Sequence, residues 1–559
     1  MIGILIALPH WPDSTYAGQL SAGLPAVDHA EWRMGYPQKP ARRTTLDEVL
    51  ERGLCSSDHI RRKLGPRVND EYMAEASFKD CERGWSSPPL TWDALRTQTR
   101  GMPINPIKRF AIDQPREGGQ SETSEEANKV QFCNATQPAE HVAALARAAK
   151  ECGPPGMENR PLESGGEGWP DAYIGTPMNP AQAKTCVVVY WPPEWNEAAF
   201  QIHHSMLFGL PLAVTGFNRY PKTCQAIARR FFSILFSRYF DDATIQDWAA
   251  AKGSGQEDVR KLTEILDTPI APCKQQNMAV TGDSLGLVHD LTHATSNGLV
   301  KFWARENLTA KLQGMIKTSR DTQKVTPGAA SKFYGTANLF ECGTFGEISR
   351  AGLTKHIDRG FRLIEAAIKQ KPVRCIFVTP PRVLRFTGAS DAAYDDCRGP
   401  GGSLPALFDI PGQQPRLGRY TQITSDVYAK WKPCKTYIAQ LELLTVYLAL
   451  IVLAEHFRGR RGTCYKDNIA ALMTLVRGRS RHEDLDYLAG AVHAAMFSLE
   501  VWIYFEWIES KANWSDGISR DGPKDLWSTQ NGFEIAPTLF PAALLDLPFG
   551  AVFSLFTFL

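Results

Sequence analysis

Two adjacent carboxylates, Asp241 and Asp242, lie in the otherwise apolar stretch FFSILFSRYFDDATIQD (231–247). Like charges repel, and an unpaired buried carboxylate is costly. Two arrangements reconcile the pair with its surroundings. A tight turn leaves both side chains in water. A hairpin can instead turn both toward one pocket, where hard oxygen ligands hold a divalent cation such as Mg2+ or Mn2+ beside substrate phosphates. Three more carboxylates have comparable settings. Glu442 lies in IAQLELLTVY, a helical pattern whose other faces are apolar. Asp467 lies in YKDNIAAL, at a strand-to-helix junction, and Asp516 in ESKANWSDGISR, at a turn into a helix. Each alone also reads as an ordinary solvated helix residue, N-cap or turn residue.

The elements that must position these groups belong to a chain of 559 residues, long enough for two to four domains with ample core. The composition is globular, 43% hydrophobic and 22% charged, and the net charge is only +2. That excludes a nucleic-acid binder driven by a global basic field, while a local basic groove stays open. Twelve scattered cysteines without a C-x-x-C pair argue against a zinc ribbon. They read as reduced thiols of an intracellular protein, nuclear or cytoplasmic. The start, MIGILIALPHW, has no basic n-region and is weak as a secretory signal. The end, FPAALLDLPFGAVFSLFTFL, is apolar but holds Asp546 and two prolines. It reads as a packed tail or read-through remnant rather than a membrane segment.

Residues 1–84 form a poorly defined N-terminal region, with little periodicity over 1–70. The pattern at 139–151 is helical, and CGPPGMENRPLESGGEG (152–168) reads as a Gly/Pro-rich break. KTCVVVYW (184–191) is a strand candidate. A helix is expected to begin at Pro221 and run toward a strand over 239–246. A further helix is expected in LTKHIDRGFRLIEAAIKQK (353–371). A second α/β pattern starts at 376: strands in IFVTPPRVLRFTGAS, a buried helix over 437–457, a short strand at GTCYKDN, two helices, a strand at VWIYFEWIES and a last turn into helix.

The Y-F-D-D run resembles the catalytic hairpin of reverse transcriptases. Upstream, LFGLPLAVTGFNRYP (207–221) resembles the second palm motif, with Phe208 and Gly209 at its turn and Phe217, Asn218 and Arg219 on its helix. KRFAIDQPREGGQSE (108–122) resembles the fingers strand; Arg109, four residues before Asp113, takes the place of the residue that grips a triphosphate. DSLGLVHD (283–290) resembles the primer grip and TPGAASKFYGTANL (326–339) the connecting segment of retrotransposon polymerases. The matches keep the family's order over 85–375. The first palm motif, a strand ending D-x-x-D-A-Y, corresponds to EGWPDAYIG (167–175). The resemblance implies that Tyr173 screens against a ribose 2′-hydroxyl and that the backbone of Asp171 and Ala172 touches the triphosphate. The metal-binding Asp of that motif should stand five positions before Tyr173, where this chain has Gly168. Glu167 is adjacent but belongs to the other face of a strand unless a bulge redirects it.

The second half resembles the ribonuclease H-like domain of retrotransposon polyproteins. The matching segments are Q-x-E-L around Glu442, D-N-x-A-A-L around Asp467 and N-x-x-D-G-I-S-R around Asp516, spread over 376–525. That family holds two metals with carboxylates on a strand, a helix, a strand end and a final helix. Its first carboxylate should sit in a T-D-A-S strand; against FTGASDAAYDD (386–396) the position falls on Gly388, with Asp391 three residues on and able to approach from the strand's end.

The resemblances imply a mixed α/β (α+β) chain: right-hand polymerase fingers, palm and thumb, then a ribonuclease H-like α/β domain. Fingers and palm would occupy 85–300, thumb and connection 301–375, the nuclease-like domain 376–525 and the apolar tail 526–559. The implied activity is RNA-directed DNA synthesis by two-metal phosphoryl transfer, plus cleavage of the RNA strand of a hybrid. Asp241 and Asp242 would hold Mg2+ or Mn2+ in the palm; Glu442, Asp467, Asp516 and Asp391 would do so in the nuclease half. Implied partners are an RNA template, a DNA primer, RNA–DNA hybrid and deoxynucleoside triphosphates, with no membrane. Glycine at both 168 and 388 implies an impaired copy. The alternative is a non-catalytic nucleic-acid-binding remnant of such a polyprotein.

Overall fold

The structure is a computed structural model. It describes residues 2–7, 10–40, 45–109, 117–343, 357–378, 385–395 and 401–540. Asp113 and the end of the apolar tail, 541–559, lie outside the described residues. The chain divides into two units: Met1–His141 with Arg160–Gly282, and Val142–Asn159 with Asp283–Leu559. No helix among the described residues is long and apolar enough to cross a membrane.

The first unit is built on a four-stranded antiparallel sheet. Its strands are β1 (Leu162–Gly168), β2 (Leu235–Tyr239), β3 (Asp242–Trp248) and β4 (Gln276–Ala279), in the order β2-β3-β1-β4. Helices α1 (Ala213–Phe231) and α2 (Ser254–Ile265) supply Tyr220, Ile227, Val259 and Leu262 to the core that also holds Phe236 and Ile245. Strand β1, LESGGEG, is central in the sheet, although its composition predicts a loop. The glycines are required by close approach: a Cβ at Gly165 would lie 2.6 Å from Met278 Sδ. Helix α1 starts eight residues before Pro221 and carries that proline in its interior. Burial of almost the whole helix between Ala213 and Ala228 outweighs the missing N–H.

The N-terminal region is more ordered than its patterning predicts. Leu46–Lys63 is a helix closed by a Thr45–Glu48 capping box, and Asp70–Glu82 is a second helix. Arg219 on α1 grips Asp13 with Nε and Nη2 at 2.7 and 2.8 Å, both residues buried. A smaller sheet joins Pro106–Lys108, Val187–Tyr190 and Ala199–Ile202.

The second unit opens with the helices Glu306–Thr322 and Pro327–Cys342 beside antiparallel strands Leu287–Asp290, Leu299–Ala304 and Arg374–Phe377. Its main sheet contains β5 (Arg385–Ser390), β6 (Gly401–Asp409), β7 (Arg416–Ile423), β8 (Arg461–Lys466), β9 (Trp502–Trp507) and β10 (Phe533–Pro537). The order is β9-β8-β5-β6-β7-β10, antiparallel within β5-β6-β7 and parallel across β5-β8-β9 and β7-β10. Helices α3 (Ile438–Val452), α4 (Ile469–Arg477) and α5 (Glu483–Ser498) pack together and share the main core of this unit, and α6 (Asp516–Asp521) follows β9. Helix α3 is apolar nearly all round, as a fully buried helix must be. The mixed α/β class expected from the sequence is the class observed.

Candidate functional site

In the first unit, β2 and β3 form the expected hairpin, turning at Phe240 and Asp241 with Tyr239 paired to Asp242. Phe240 takes a left-handed φ of 50° and stacks 4.1 Å from Phe132, which fixes the turn. The Asp241 carbonyl accepts from Trp169 N at 2.9 Å, tying the tip to the end of β1. Tyr173 sits edge-on to Phe208 and Phe217, with ring centroids 5.0 and 5.2 Å apart. Residues from two separate sequence motifs thus meet at one place. Gly209, with φ 91°, makes the turn before α1 that requires a glycine. Burial, with the Asp241 charge added, pushes the Tyr173 hydroxyl up to about 12. Desolvation and the neighbouring Asp241 charge raise Asp242, while Lys274 pulls it down.

Gly168 pairs directly with Asp242 across β1 and β3. The β1–β3 register runs unbroken from Leu162 to Gly168, so no bulge there brings Glu167 round. Glu167 pairs opposite Ala243, is buried with neither carboxylate oxygen hydrogen-bonded, and is raised by desolvation. Lys274 fills the space at Gly168. A Cβ there would lie 2.5 Å from Lys274 Cδ and 2.9 Å from its Cβ. The Lys274 ammonium donates to Asp241 Oδ2 at 2.5 Å and to the Trp169 carbonyl at 2.9 Å. The ammonium thus takes one oxygen of Asp241 and the Trp169 carbonyl, which a cation at the hairpin tip would have to share with it.

Two expected nucleotide contacts are placed otherwise. Arg109 donates to Asp80 at 2.6 Å, and both side chains are only 8% exposed, so the guanidinium is spent on a buried ion pair rather than open to a triphosphate. Asp171 has a left-handed φ of 53° and its carboxylate accepts from Arg83 at 3.0 Å; Ala172 also has positive φ, 32°.

In the second unit, Asp391, Glu442 and Asp467 converge, with a ligand oxygen from each within 4.8 Å of the others. Asp391 follows the end of β5, Glu442 lies on α3 and Asp467 follows the end of β8; these elements meet because β5 and β8 are parallel neighbours. Three carboxylate oxygens are the hard donor set that Mg2+ or Mn2+ takes. Burial pushes Asp391 up, eased by a hydrogen bond from Ser519 on α6. Burial also pushes Glu442 up, against the pull of Lys466. Lys466 is fully buried, ion-paired with Glu442, and donates to Ser390 Oγ at 3.0 Å and to the Ser390 and Glu442 carbonyls at 3.2 and 3.1 Å.

The expectation at Gly388 is corrected. Gly388 lies inside β5 opposite Phe408, and a Cβ there would be 2.1 Å from Phe408 Cδ1. The position beside Glu442 and Asp467 is held by Asp391 instead. Asp516 does not join the tight cluster; its Oδ1 accepts from Arg520 at 2.9 Å, and Ser519 is the α6 residue that reaches Asp391. Sequence reasoning missed Lys274, Lys466 and Ser519. Lys466 closes the strand that precedes Asp467, and nothing in the local pattern marks it as a partner of Glu442. Lys274 carries no local signal.

No family model matches the chain, and no curated protein does. Among solved structures, the chain is similar to the foamy viral protease-reverse transcriptase dRH in complex with double-stranded DNA. That match has 11% identity and a TM-score of 0.40, and covers 80% of this chain and 71% of that one. It is also similar to the foamy viral protease-reverse transcriptase in complex with double-stranded DNA, at 10% identity and a TM-score of 0.38, covering 89% of this chain and 92% of that one.

Proposed function

We propose that the chain is a reverse transcriptase–ribonuclease H polyprotein product of a retroelement, with an impaired polymerase palm and a nuclease half that retains its cation-holding acids. Its partners would be RNA–DNA hybrid, RNA template and DNA primer, held through backbone phosphates by local Lys and Arg. The observation that carries the reading is the convergence of Asp391, Glu442 and Asp467 from a strand end, a helix and a second strand end. These three would hold Mg2+ or Mn2+, and such a cation activates water and stabilises charge on a phosphoryl group. The chain's own residues set the stage: α3 and β8 fix the acids, and Lys466 offsets part of the negative charge. In the palm, Tyr173, Phe208 and Phe217 preserve the floor on which a nucleotide would rest.

The second reading, a non-catalytic nucleic-acid-binding remnant, is favoured by one observation: the Lys466 ammonium is ion-paired with Glu442. One assay separates the two. With Mg2+ or Mn2+, the wild-type chain cleaves the RNA strand of a hybrid, and Asp467→Asn lowers the rate at least about a hundredfold. Filter binding of hybrid without any cleavage in either protein supports the remnant and overturns the nuclease.

A further inference from the structure

We propose that Lys274 is the resident cation of the palm: its ammonium stands where a divalent metal would, and the Asp241–Asp242 pair is held without metal. The inference rests on reading the first unit as a polymerase-derived palm. Three features converge on it. Position 168, directly opposite Asp242, has no side chain. The Lys274 stem runs through the volume that a side chain there would need, so glycine and lysine form one joint feature. The ammonium then lies on one carboxylate oxygen of Asp241 and on the Trp169 carbonyl, two of the oxygens a hard cation at this place would draw on.

Charge balance agrees with the geometry. A palm with a third carboxylate would gather three negative charges and would need a metal to hold them together. With glycine at 168 and a lysine beside the hairpin, the two aspartates and one ammonium leave a single net negative charge. The lysine is anchored close to the site by its own chain: Ala271 N donates to the Gly168 carbonyl at 2.9 Å, three residues before Lys274. Restoring a carboxylate at 168 therefore does not by itself restore a metal site, because Lys274 keeps the space for that side chain and one oxygen of Asp241.

The test counts Mn2+ bound to the full chain by electron paramagnetic resonance. It uses a background carrying Asp391→Asn and Asp467→Asn, so that the second unit contributes no site. The background protein should bind no Mn2+ that depends on Asp241, and adding Gly168→Asp/Lys274→Ala should create a Mn2+ site that is lost again on Asp241→Asn. Mn2+ bound by the background and lost on Asp241→Asn overturns the proposal, and this arm needs no palm redesign to fold. A folded Gly168→Asp/Lys274→Ala protein, shown by its melting curve, that gains no Mn2+ also overturns it. Mn2+ gained without primer extension supports the lysine's role and counts against the polymerase reading, so the two fail separately.

Discussion

Gly168 and Asp242 lie directly opposite each other on antiparallel neighbours, and the side chain of Lys274 occupies the place a Cβ at Gly168 would take. The hairpin at 239–242 is therefore formed, with no side chain opposite Asp242. In the second unit the acids meet by a different route, with Asp391 supplying from beyond the strand end what Gly388 inside the strand does not.

Gly168→Asp alone should destabilise the first unit. The new Cβ would lie 2.5 Å from Lys274 Cδ and 2.9 Å from Lys274 Cβ, and moving the lysine breaks its pair with Asp241. A loss of about 1–3 kcal/mol is expected from such overpacking, read from urea denaturation. The variant should extend no primer. Unchanged stability together with primer extension would show that position 168 has room for a ligand.

Gly388→Asp should likewise cost stability without adding activity. Its Cβ would lie 2.1 Å from Phe408 Cδ1 in the paired strand. Thermal melting should fall for Gly388→Ala as well, because the clash is with the first side-chain carbon. A Gly388→Asp protein that melts as wild type and binds Mn2+ more tightly would return position 388 to the site.

These two positions show what the sequence made legible. The resemblance of the segments around Glu442 and Asp467 to a ribonuclease H-like domain implied that the two meet at one point. The long apolar run at 437–457 marked α3 as a buried helix, and the apolar and aromatic run VWIYFEWIES marked β9. The hairpin at 241–242 was one of two arrangements open to the paired acids and was implied by the Y-F-D-D resemblance, whereas the helix expected to run from Pro221 toward a strand at 239 ends at Phe231, and 235–239 is a strand. Strand β1 was hidden because its glycines are set by Met278, Gln276 and Lys274 across space, which no local pattern encodes. Strands β6 and β7 were hidden by the Gly and Pro that surround them. Arg109 was misplaced because its partner, Asp80, lies in a helix formed by a region that shows no clear periodicity.

The Asp13–Arg219 pair should be a strong anchor of the N-terminal segment. Arg219 makes bidentate contact at 2.7 and 2.8 Å, and both residues are almost fully buried. Asp13→Asn leaves the guanidinium unpaired and should cost about 3–5 kcal/mol. A paired Asp13→Leu/Arg219→Met change should cost less than the single change. Proteolysis of the segment 10–40 and urea midpoints check this; equal stability of Asp13→Asn and wild type would contradict it.

His203 should make the first unit acid-sensitive. It is buried, and desolvation together with the Arg109 charge lowers its imidazole from 6.5 to about 3. The unfolded chain takes up a proton as pH falls below 6.5, while the folded chain does not until about 3. Stability from this group is therefore full above 6.5 and falls as pH drops through that window, by up to about 1.4 kcal/mol per pH unit. His203→Leu should flatten the urea midpoint between pH 6.5 and 4.5 by close to one proton. Identical slopes in the two proteins would contradict a buried neutral His203.

The central claim is that Asp391, Glu442 and Asp467 hold one cation together. Its most direct measurement is Mn2+ affinity of the full chain by electron paramagnetic resonance, in wild type, Asp391→Asn and Asp467→Asn. The predicted result is binding by wild type that weakens at least about tenfold in each variant, with unchanged melting curves. Equal Mn2+ affinity in all three proteins would contradict the site.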